Sequence, residues 1–241
     1  MRILRILDTV SKSSRPLSLA ELSGALSAPK SSLLLLLRAL VTEGYLSQDQ
    51  YGYSVGGESY RLASSILNGR KLPKVMRPFL EDLSQKTCET VILTVLDRDA
   101  GMAIYLDVID SPQALRYTVQ LGAARPLYAT SGGRVLLAFQ DEAWIRNYVE
   151  HVEFSRRTPH SVNSRRALMS ELATIREQGY SVTEDQWVVG GVGVGAPVFG
   201  VDQTRVVAAL SIACLSGHFN ENRKETINAL LGTARKASGL C

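Results

Sequence analysis

The chain has 241 residues, which is enough for one large domain or two modest ones. Its 45% apolar and 21% charged residues provide for a packed core and exclude an intrinsically disordered composition. The longest uninterrupted aliphatic run is the leucine stretch at residues 33–37, far short of the roughly 20 residues of a membrane span. Arg2 and Arg5 interrupt the apolar N-terminus and no small-residue cleavage site follows, so we expect neither a membrane protein nor a secreted one.

The cysteines and histidines argue against a disulfide framework or a metal site. Cys88, Cys214 and Cys241 are an odd number without a CxxC pair, which fits a reducing cytoplasm. The histidines lack HxH or HExxH spacing, and we interpret them as ordinary surface or hydrogen-bonded side chains; they are His151, His160 and His218. We therefore expect a cytoplasmic protein with no metal and no other cofactor.

The net charge is small and unevenly placed. Lys and Arg outnumber Asp and Glu by 27 to 23, which gives +4, and three of those four units lie within residues 1–70. This is a weak sign of a polyanionic partner, because a few charges can equally belong to a solvated face. A Gly and a Pro within residues 69–73 mark a break between a mainly helical part and a part with β-rich runs.

The first part predicts three helices followed by a β-hairpin. The helices are expected up to about Ser11, from Ser18 to about Leu26, and from about Lys30 to Glu43, and the strands at residues 45–48 and 53–55. Ser18 and Glu21 form a capping box for the second helix, and Gly44 supplies a left-handed end for the third. This order is typical of a winged helix-turn-helix, whose third helix enters the major groove while the hairpin contacts the flanking backbone.

The third helix has an apolar side and a side that suits DNA. At about 100° per residue, the side expected in the core carries Leu33, Leu36, Leu37 and Leu40, and the opposite side carries Ser31, Leu35, Arg38 and Thr42. A leucine can contact a thymine methyl group, Lys30 suits a phosphate, and Arg38 suits a phosphate or guanine. The alternative is an apolar helix face that packs on a neighbour. The candidate DNA contacts are Ser18, Lys30, Ser31, Ser32, Leu34, Leu35, Arg38, Gln50 and Tyr51.

These residues resemble the isocitrate-lyase-regulator (IclR) family of bacterial transcription factors. The resemblance lies in Leu4-Arg-Ile-Leu-Asp, Pro16-Leu-Ser-Leu-Ala-Glu-Leu, Pro29-Lys-Ser-Ser, Leu36-Leu-Arg-Ala-Leu and Glu43-Gly-Tyr-Leu. The family usually has an arginine where this chain has Leu35, so one polar DNA contact is replaced. The resemblance implies an α+β protein, in which a winged helix-turn-helix domain (residues 1–57) is joined by a helical linker (58–71) to a GAF-like effector-binding domain (72–241).

The second part predicts a mixture of helices and strands. We expect a helix at residues 72–87, strands at 91–96, 102–109 and 115–119, later strands within 188–199 and 206–213, and a final helix from about Asn220 to Ala237.

Two glycine-containing segments stand out in this part. Thr130-Ser-Gly-Gly133 leads into an apolar helix, and a helix start can hold an anion through its free amide groups. The alternative is that the glycines serve close packing only. Gly191, Gly193 and Gly195 do not form a GxGxxG dinucleotide loop, because Pro197 follows and the next segment is not a helix start. Alternate glycines on a strand indicate that another strand or a small molecule approaches the backbone.

The resemblance also implies where an effector binds. The family's pocket positions correspond to Ala129, Thr130, Ser131, Gly132, Thr183, Gly193, Ser211 and Ala213, and Arg134 stands in the usual lysine position. Some members have an acid where this chain has Thr183 and a cysteine where it has Gly193, which predicts a roomier, less polar pocket. Amide donors beside apolar walls favour an organic acid, aromatic or otherwise, as the ligand.

The leading hypothesis is a ligand-responsive regulator of a catabolic operon that binds double-stranded operator DNA as a homodimer or a dimer of dimers. One alternative is a sensory or scaffold module that has lost DNA binding, which the replacement at Leu35 favours. A hydrolase that uses Ser131 is less favoured, because the GxSxG elbow is absent and no histidine is near in sequence.

Overall fold

Two compact units make up the chain, Met1–Arg70 and Lys71–Cys241, and the computed structural model describes residues 2–69 and 71–240. The segment predicted as a linker, residues 58–71, lies mostly in a helix, Gly57–Gly69, that groups with the first unit. The division into residues 1–57, 58–71 and 72–241 stays a prediction.

Within residues 2–69, the first unit contains four helices and a two-stranded hairpin. In chain order they are α1 (Arg2–Ser11), α2 (Leu19–Leu26), α3 (Lys30–Thr42), β1 (Leu46–Asp49), β2 (Gly52–Val55) and α4 (Gly57–Gly69). The capping box predicted from Ser18 is present: its hydroxyl accepts from the Glu21 amide, and the Glu21 carboxylate accepts from the Ser18 amide at 2.8 Å. Ser27 ends α2 in the left-handed conformation, with φ 48°. The predicted elements are therefore confirmed here to within a residue or two.

The core of this unit forms where one face of each of the first three helices meets the hairpin. Its buried members are Ile6, Val10, Leu22, Ala28, Leu33, Leu37, Leu40, Leu46 and Tyr53. The expectation that Leu36 belongs fully to this core is wrong, since its side chain is only half-buried. Leu36 packs against this core without being enclosed by it.

The second unit is built on one antiparallel sheet. Its elements are α5 (Lys71–Thr87), β3 (Thr90–Asp97), β4 (Met102–Ile109), β5 (Ala124–Pro126), a single-turn 3-10 helix (Leu127–Ala129), α6 (Ser131–Ala138), α7 (Glu142–His151), α8 (Arg165–Gln178), β6 (Ser181–Glu184), β7 (Gly191–Phe199), β8 (Val206–Leu215), α9 (Ser216–Glu221) and α10 (Arg223–Ala237). The strand order is β5-β4-β3-β8-β7-β6. The fold is therefore α+β, as expected.

The two faces of this sheet have different coverings because successive side chains of a strand point to opposite sides. One face packs on α5 and α10, through Leu80 and Leu83 on the first and Leu230 and Ala234 on the second. The other face receives α6, whose own apolar side chains pack with α7 and α8 in a second cluster. The sheet thus separates a largely apolar core from a face that holds the polar start of α6.

One of the predicted elements is wrong. Residues 115–119 form no strand; the Tyr117 carbonyl accepts from the Thr90 hydroxyl at 2.6 Å, and the neighbour of β4 is instead β5. Alternating side chains indicate an extended backbone but do not show that a partner strand exists. The final predicted helix, from about Asn220 to Ala237, corresponds to α10, and a short helix that was not predicted, α9, precedes it. In the described parts of the chain, no single helix is long and apolar enough to cross a membrane; α2 and α3 pass that test only as a pair, and they are bent by 114°.

Candidate functional sites

A helix-turn-helix geometry arises where α2 and α3 meet. The angle between them is 114°, and three residues join them, of which Pro29 directly precedes the first turn of α3. On α3, Leu33, Leu37 and Leu40 point into the core. The opposite side of α3 is therefore turned outward and fixed in orientation by the leucines beneath it.

The outward side of α3 carries most of the candidate DNA contacts. Lys30, Ser31, Ser32, Leu35 and Arg38 are exposed, with Leu35 at 73%. Leu34 is half-buried.

Two of these residues are cations that differ from other cations of the same unit. Within residues 3–63, Lys12, Arg15 and Arg61 are each paired with a carboxylate, whereas no such pair involves Lys30 or Arg38 on α3, or Arg5 on α1. These two cations are therefore available to a phosphate or a base.

The hairpin is held beside this helix by the chain that precedes α2. Leu17 and Tyr53 exchange two backbone hydrogen bonds of 2.9 Å, and a Cβ at Gly52 would lie 2.4 Å from the Leu17 carbonyl oxygen. At the tip, Gln50 and Tyr51 are exposed, and the Asp49 carboxylate accepts from the Tyr51 amide at 2.8 Å. Ser18 differs from the other candidates because its hydroxyl is engaged in the capping box.

A cavity of about 510 Å³ lies on the α6 side of the sheet. All eight residues expected to bind an effector line it: Ala129, Thr130, Ser131, Gly132, Thr183, Gly193, Ser211 and Ala213. Its volume is in the range of small-molecule sites. The topology brings these residues together, since Thr183 pairs with Gly193 between β6 and β7, and Gly193 pairs with Ala213 between β7 and β8.

The start of α6 forms part of this lining. The Thr130 hydroxyl caps the helix by accepting from the Gly133 amide at 3.1 Å. The amides of Ser131 and Gly132 come before the first intrahelical hydrogen bond, so they are free to face an anion or a carbonyl group. Beside them, the buried hydroxyls of Thr94 and Ser211 have no hydrogen-bond partner among the residues that the structure describes.

The alternating glycines of β7 allow α6 to lie directly on the sheet. A Cβ at Gly195 would lie 2.8 Å from the Ser131 carbonyl carbon and 2.9 Å from the Gly132 amide nitrogen. At Gly193 it would meet the hydroxyls of Ser131 and Thr183, each at 2.8 Å. The expected neighbour was a strand or a small molecule, but the close neighbour of Gly195 is a helix start.

The glycines of α6 also serve close packing. A Cβ at Gly132 would lie 2.5 Å from the Ser211 hydroxyl, and one at Gly133 would lie 2.5 Å from the Leu127 carbonyl oxygen. Packing therefore accounts for both glycines whether or not an anion binds at the helix start.

Arg134 connects the start of α6 to two other segments. It is 1% exposed; its Nε donates to the Tyr128 carbonyl at 2.6 Å, and its two Nη groups donate to Glu171 on α8 and to Gln186. Burial lowers the pKa of Arg134, yet a guanidinium remains protonated at neutral pH. Burial raises the pKa of the Glu171 carboxyl, and the adjacent guanidinium opposes that shift. Gln186 precedes Trp187, a cavity residue, so this cation braces one wall of the cavity.

Sequence reasoning missed the aromatic and charged part of the cavity. Tyr105, Tyr117, Arg125 and Trp187 also line it. Burial raises the pKa of the Tyr105 hydroxyl to about 12, which keeps it neutral. These residues come from separate segments of the chain, and the one available signal was that Arg125 and Trp187 border segments already singled out for their glycines.

Comparison with known proteins identifies the family. The model for the bacterial transcriptional regulator IclR C-terminal domain matches residues 64–239, and the model for the IclR helix-turn-helix domain matches residues 1–50. The chain belongs to the IclR family of transcriptional regulators. The HTH-type transcriptional regulator KdgR of Escherichia coli K12 is 32% identical over 98% of this chain and 89% of its own.

Solved IclR structures share the fold. The Thermotoga maritima IclR structure aligns with a TM-score of 0.79 at 25% identity and covers 99% of this chain and 97% of its own. An IclR homologue from Microbacterium hydrocarbonoxydans, solved in complex with 4-hydroxybenzoate, aligns with a TM-score of 0.77 at 21% identity, over 98% of each chain. The two-part architecture is therefore that of IclR regulators.

Proposed function

We propose that this IclR regulator controls a catabolic operon in the cytoplasm, and that a small organic acid in the cavity shifts its affinity for operator DNA. The observation that carries the proposal is that all eight positions expected from the family line one cavity at the start of α6. An acid suits this place because free amides and the positive end of the helix dipole favour negative charge.

The mechanism we propose is linkage between the two ligands. The reading head of one chain (helices α1–α3 with the β1–β2 hairpin) covers few base pairs. A homodimer or a dimer of dimers would therefore present paired heads to a pseudo-palindromic operator. An effector that binds better to one arrangement of those heads changes DNA affinity by its differential affinity for the two states.

A calorimetric titration with organic acids tests the effector class, and 4-hydroxybenzoate is a first probe because the Microbacterium homologue binds it. Binding of neutral or cationic compounds alone would contradict it.

Replacing Lys30 or Arg38 with alanine should weaken DNA binding. Both are exposed on α3 and belong to no ion pair of the described reading head, so each loss removes a contact with DNA. If Arg38 reads a guanine, Arg38→Ala should reduce the free energy of DNA binding by about 1–3 kcal/mol. Lys30→Ala should weaken binding to all DNA sequences alike and lower the slope of binding affinity against salt concentration by about 1. Fluorescence anisotropy with labelled upstream DNA measures both.

Lys12→Ala is the matched control, because Lys12 is exposed in the same unit but paired with Asp8 at 2.8 Å. It should bind DNA like the unmodified chain. Equal DNA affinity for all three variants would contradict the placement of α3 on DNA.

The alternative of a sensory or scaffold module without DNA binding draws on Leu35, which is exposed where the family usually has an arginine. We favour DNA binding because the exposed cations flank this leucine on the same helix side. We assign Ser131 no catalytic role: the described lining of the cavity contains no His, Asp or Glu that could act as its base.

A further inference from the structure

Arg125 is the one charged side chain in the described lining of the cavity. No carboxylate is paired with it among the residues that the structure describes, and its hydrogen bond is to the carbonyl of the adjacent residue, Ala124, at 3.0 Å. A guanidinium has five N–H donors. Most of the hydrogen-bonding capacity of Arg125 is therefore unused by the protein.

The guanidinium of Arg125 is held in place by the sheet and by two aromatic rings. Arg125 pairs with Ala103 between β5 and β4, which fixes its backbone. Its Cζ lies 5.1 Å from the centre of the Trp187 ring and 5.9 Å from that of Tyr105. Cation–π contacts of this kind orient a guanidinium without neutralising its charge.

A second cation lies against the same tryptophan. The Cζ of Arg157 is 3.8 Å from the centre of the Trp187 ring, and Arg157 likewise lacks an ion pair among the described residues. Arg157 does not line the cavity but borders a smaller neighbouring pocket. Two unpaired guanidinium groups at one ring create a positive potential, which an anion beside Arg125 would relieve.

Arg125 and the start of α6 are the two groups that could bind the negative charge of a ligand, and they differ in the size of their positive charge. A helix start is equivalent to about half an elementary charge, whereas a guanidinium carries a full one and binds a carboxylate through two parallel hydrogen bonds. The glycines at the helix start are also explained by packing. The stronger and otherwise unexplained feature is Arg125.

We propose that Arg125 selects an anionic effector by binding its carboxylate, while the rings of Trp187 and Tyr105 contact the apolar body of the ligand. This inference rests on the proposed function, of which it names the specificity-determining residue. It predicts that the cavity prefers a carboxylate over the amide of the same shape.

Calorimetry on the full-length protein tests this with matched pairs of ligands. The probes are 4-hydroxybenzoate and hexanoate, each compared with its amide, together with succinate and gluconate. The unmodified chain should bind at least one carboxylate more tightly than the corresponding amide. Arg125→Gln should weaken that carboxylate about ten- to a hundredfold, as expected for a hydrogen bond to a charged group, and leave amide affinity unchanged. Arg125→Lys, which keeps the charge without the fork, should lose less.

Two other arginines provide the controls. Arg116→Gln removes an exposed charge from the segment before Tyr117 but outside the cavity, and should not change ligand affinity. Arg157→Gln should cost clearly less than Arg125→Gln, since it changes only the surrounding potential. Equal losses of carboxylate affinity in Arg125→Gln and Arg157→Gln would show that only the overall positive potential matters. That result would overturn the assignment of Arg125 as the carboxylate-binding residue.

The remaining outcomes separate this inference from the function on which it rests. Unchanged carboxylate affinity in Arg125→Gln, or equal binding of carboxylate and amide by the unmodified chain, overturns the role of Arg125. A chain that binds none of the carboxylates overturns it too. If a carboxylate binds through Arg125 but leaves DNA affinity unchanged, the proposed function fails and the role of Arg125 stands. The thermal unfolding of Arg125→Gln should match that of the unmodified chain, because the Arg125 side chain is half-exposed.

Discussion

Gly195→Ala is expected to destabilise the protein by about 3 kcal/mol, because the added methyl group has no space to occupy. It would lie 2.8–2.9 Å from three backbone atoms of Ser131 and Gly132. Backbone atoms cannot rotate away, so α6 would have to lift from the sheet. The cavity should be distorted at the same time, since both residues line it. Urea unfolding followed by circular dichroism measures the stability.

Two other glycines provide graded controls for this substitution. At Gly193 the added carbon would meet the hydroxyl oxygens of Ser131 and Thr183, which can rotate, so Gly193→Ala should cost less. Gly232 lies within α10 with nothing within 4 Å of an added Cβ. Gly232→Ala should therefore stabilise by up to about 1 kcal/mol through helix propensity. If Gly195→Ala were as stable as the unmodified chain, the close seating of α6 on β7 would be wrong.

Arg134→Met should destabilise the protein by about 3 kcal/mol, the lower end for a broken buried ion pair, because Glu171 remains partly exposed at 35%. The substitution keeps most of the side-chain volume but removes the donors to Tyr128, Glu171 and Gln186. A buried carbonyl and a half-buried carboxylate then lose their partner. The stability of Arg134→Lys should lie between those of the unmodified chain and Arg134→Met, because an ammonium group cannot make all three hydrogen bonds of the guanidinium.

Arg146→Ala is the matched control for Arg134. Arg146 forms an ion pair with Glu142 at 2.8 Å, but both side chains are at least 70% exposed. An exposed pair of this kind contributes at most about 1 kcal/mol. Equal unfolding midpoints for Arg134→Met and Arg146→Ala in urea would show that Arg134 does not brace the cavity wall.

The first seventy residues could be predicted well because their signals are local. The Ser18–Glu21 box and the glycine at Gly44 each act within one helical turn, and both are present in the structure. The outward direction of Leu35 followed from helix geometry alone, and it is 73% exposed. Leu36 was misplaced because periodicity gives a direction but not the number of neighbours available to bury it.

The second unit could be predicted less completely because its features depend on partners far away in sequence. Residues 115–119 have a strand-like pattern, but strand pairing is decided by the sheet order, which places β5 next to β4. For the cavity, the family resemblance supplied eight lining positions. Arg125 and Trp187 were missed because they are 62 residues apart, and neither carries a local pattern that indicates their contact.

Ligand-responsive DNA binding is tested most directly by fluorescence anisotropy of labelled DNA from the region upstream of the gene. At low salt the unmodified chain should bind saturably, with a shallow salt dependence that reflects its net charge of only +4. A carboxylate that binds the cavity should then shift the DNA dissociation constant, and Arg38→Ala should weaken binding with or without it. Absence of binding at low salt, both with and without the carboxylates, would contradict a DNA-binding regulator.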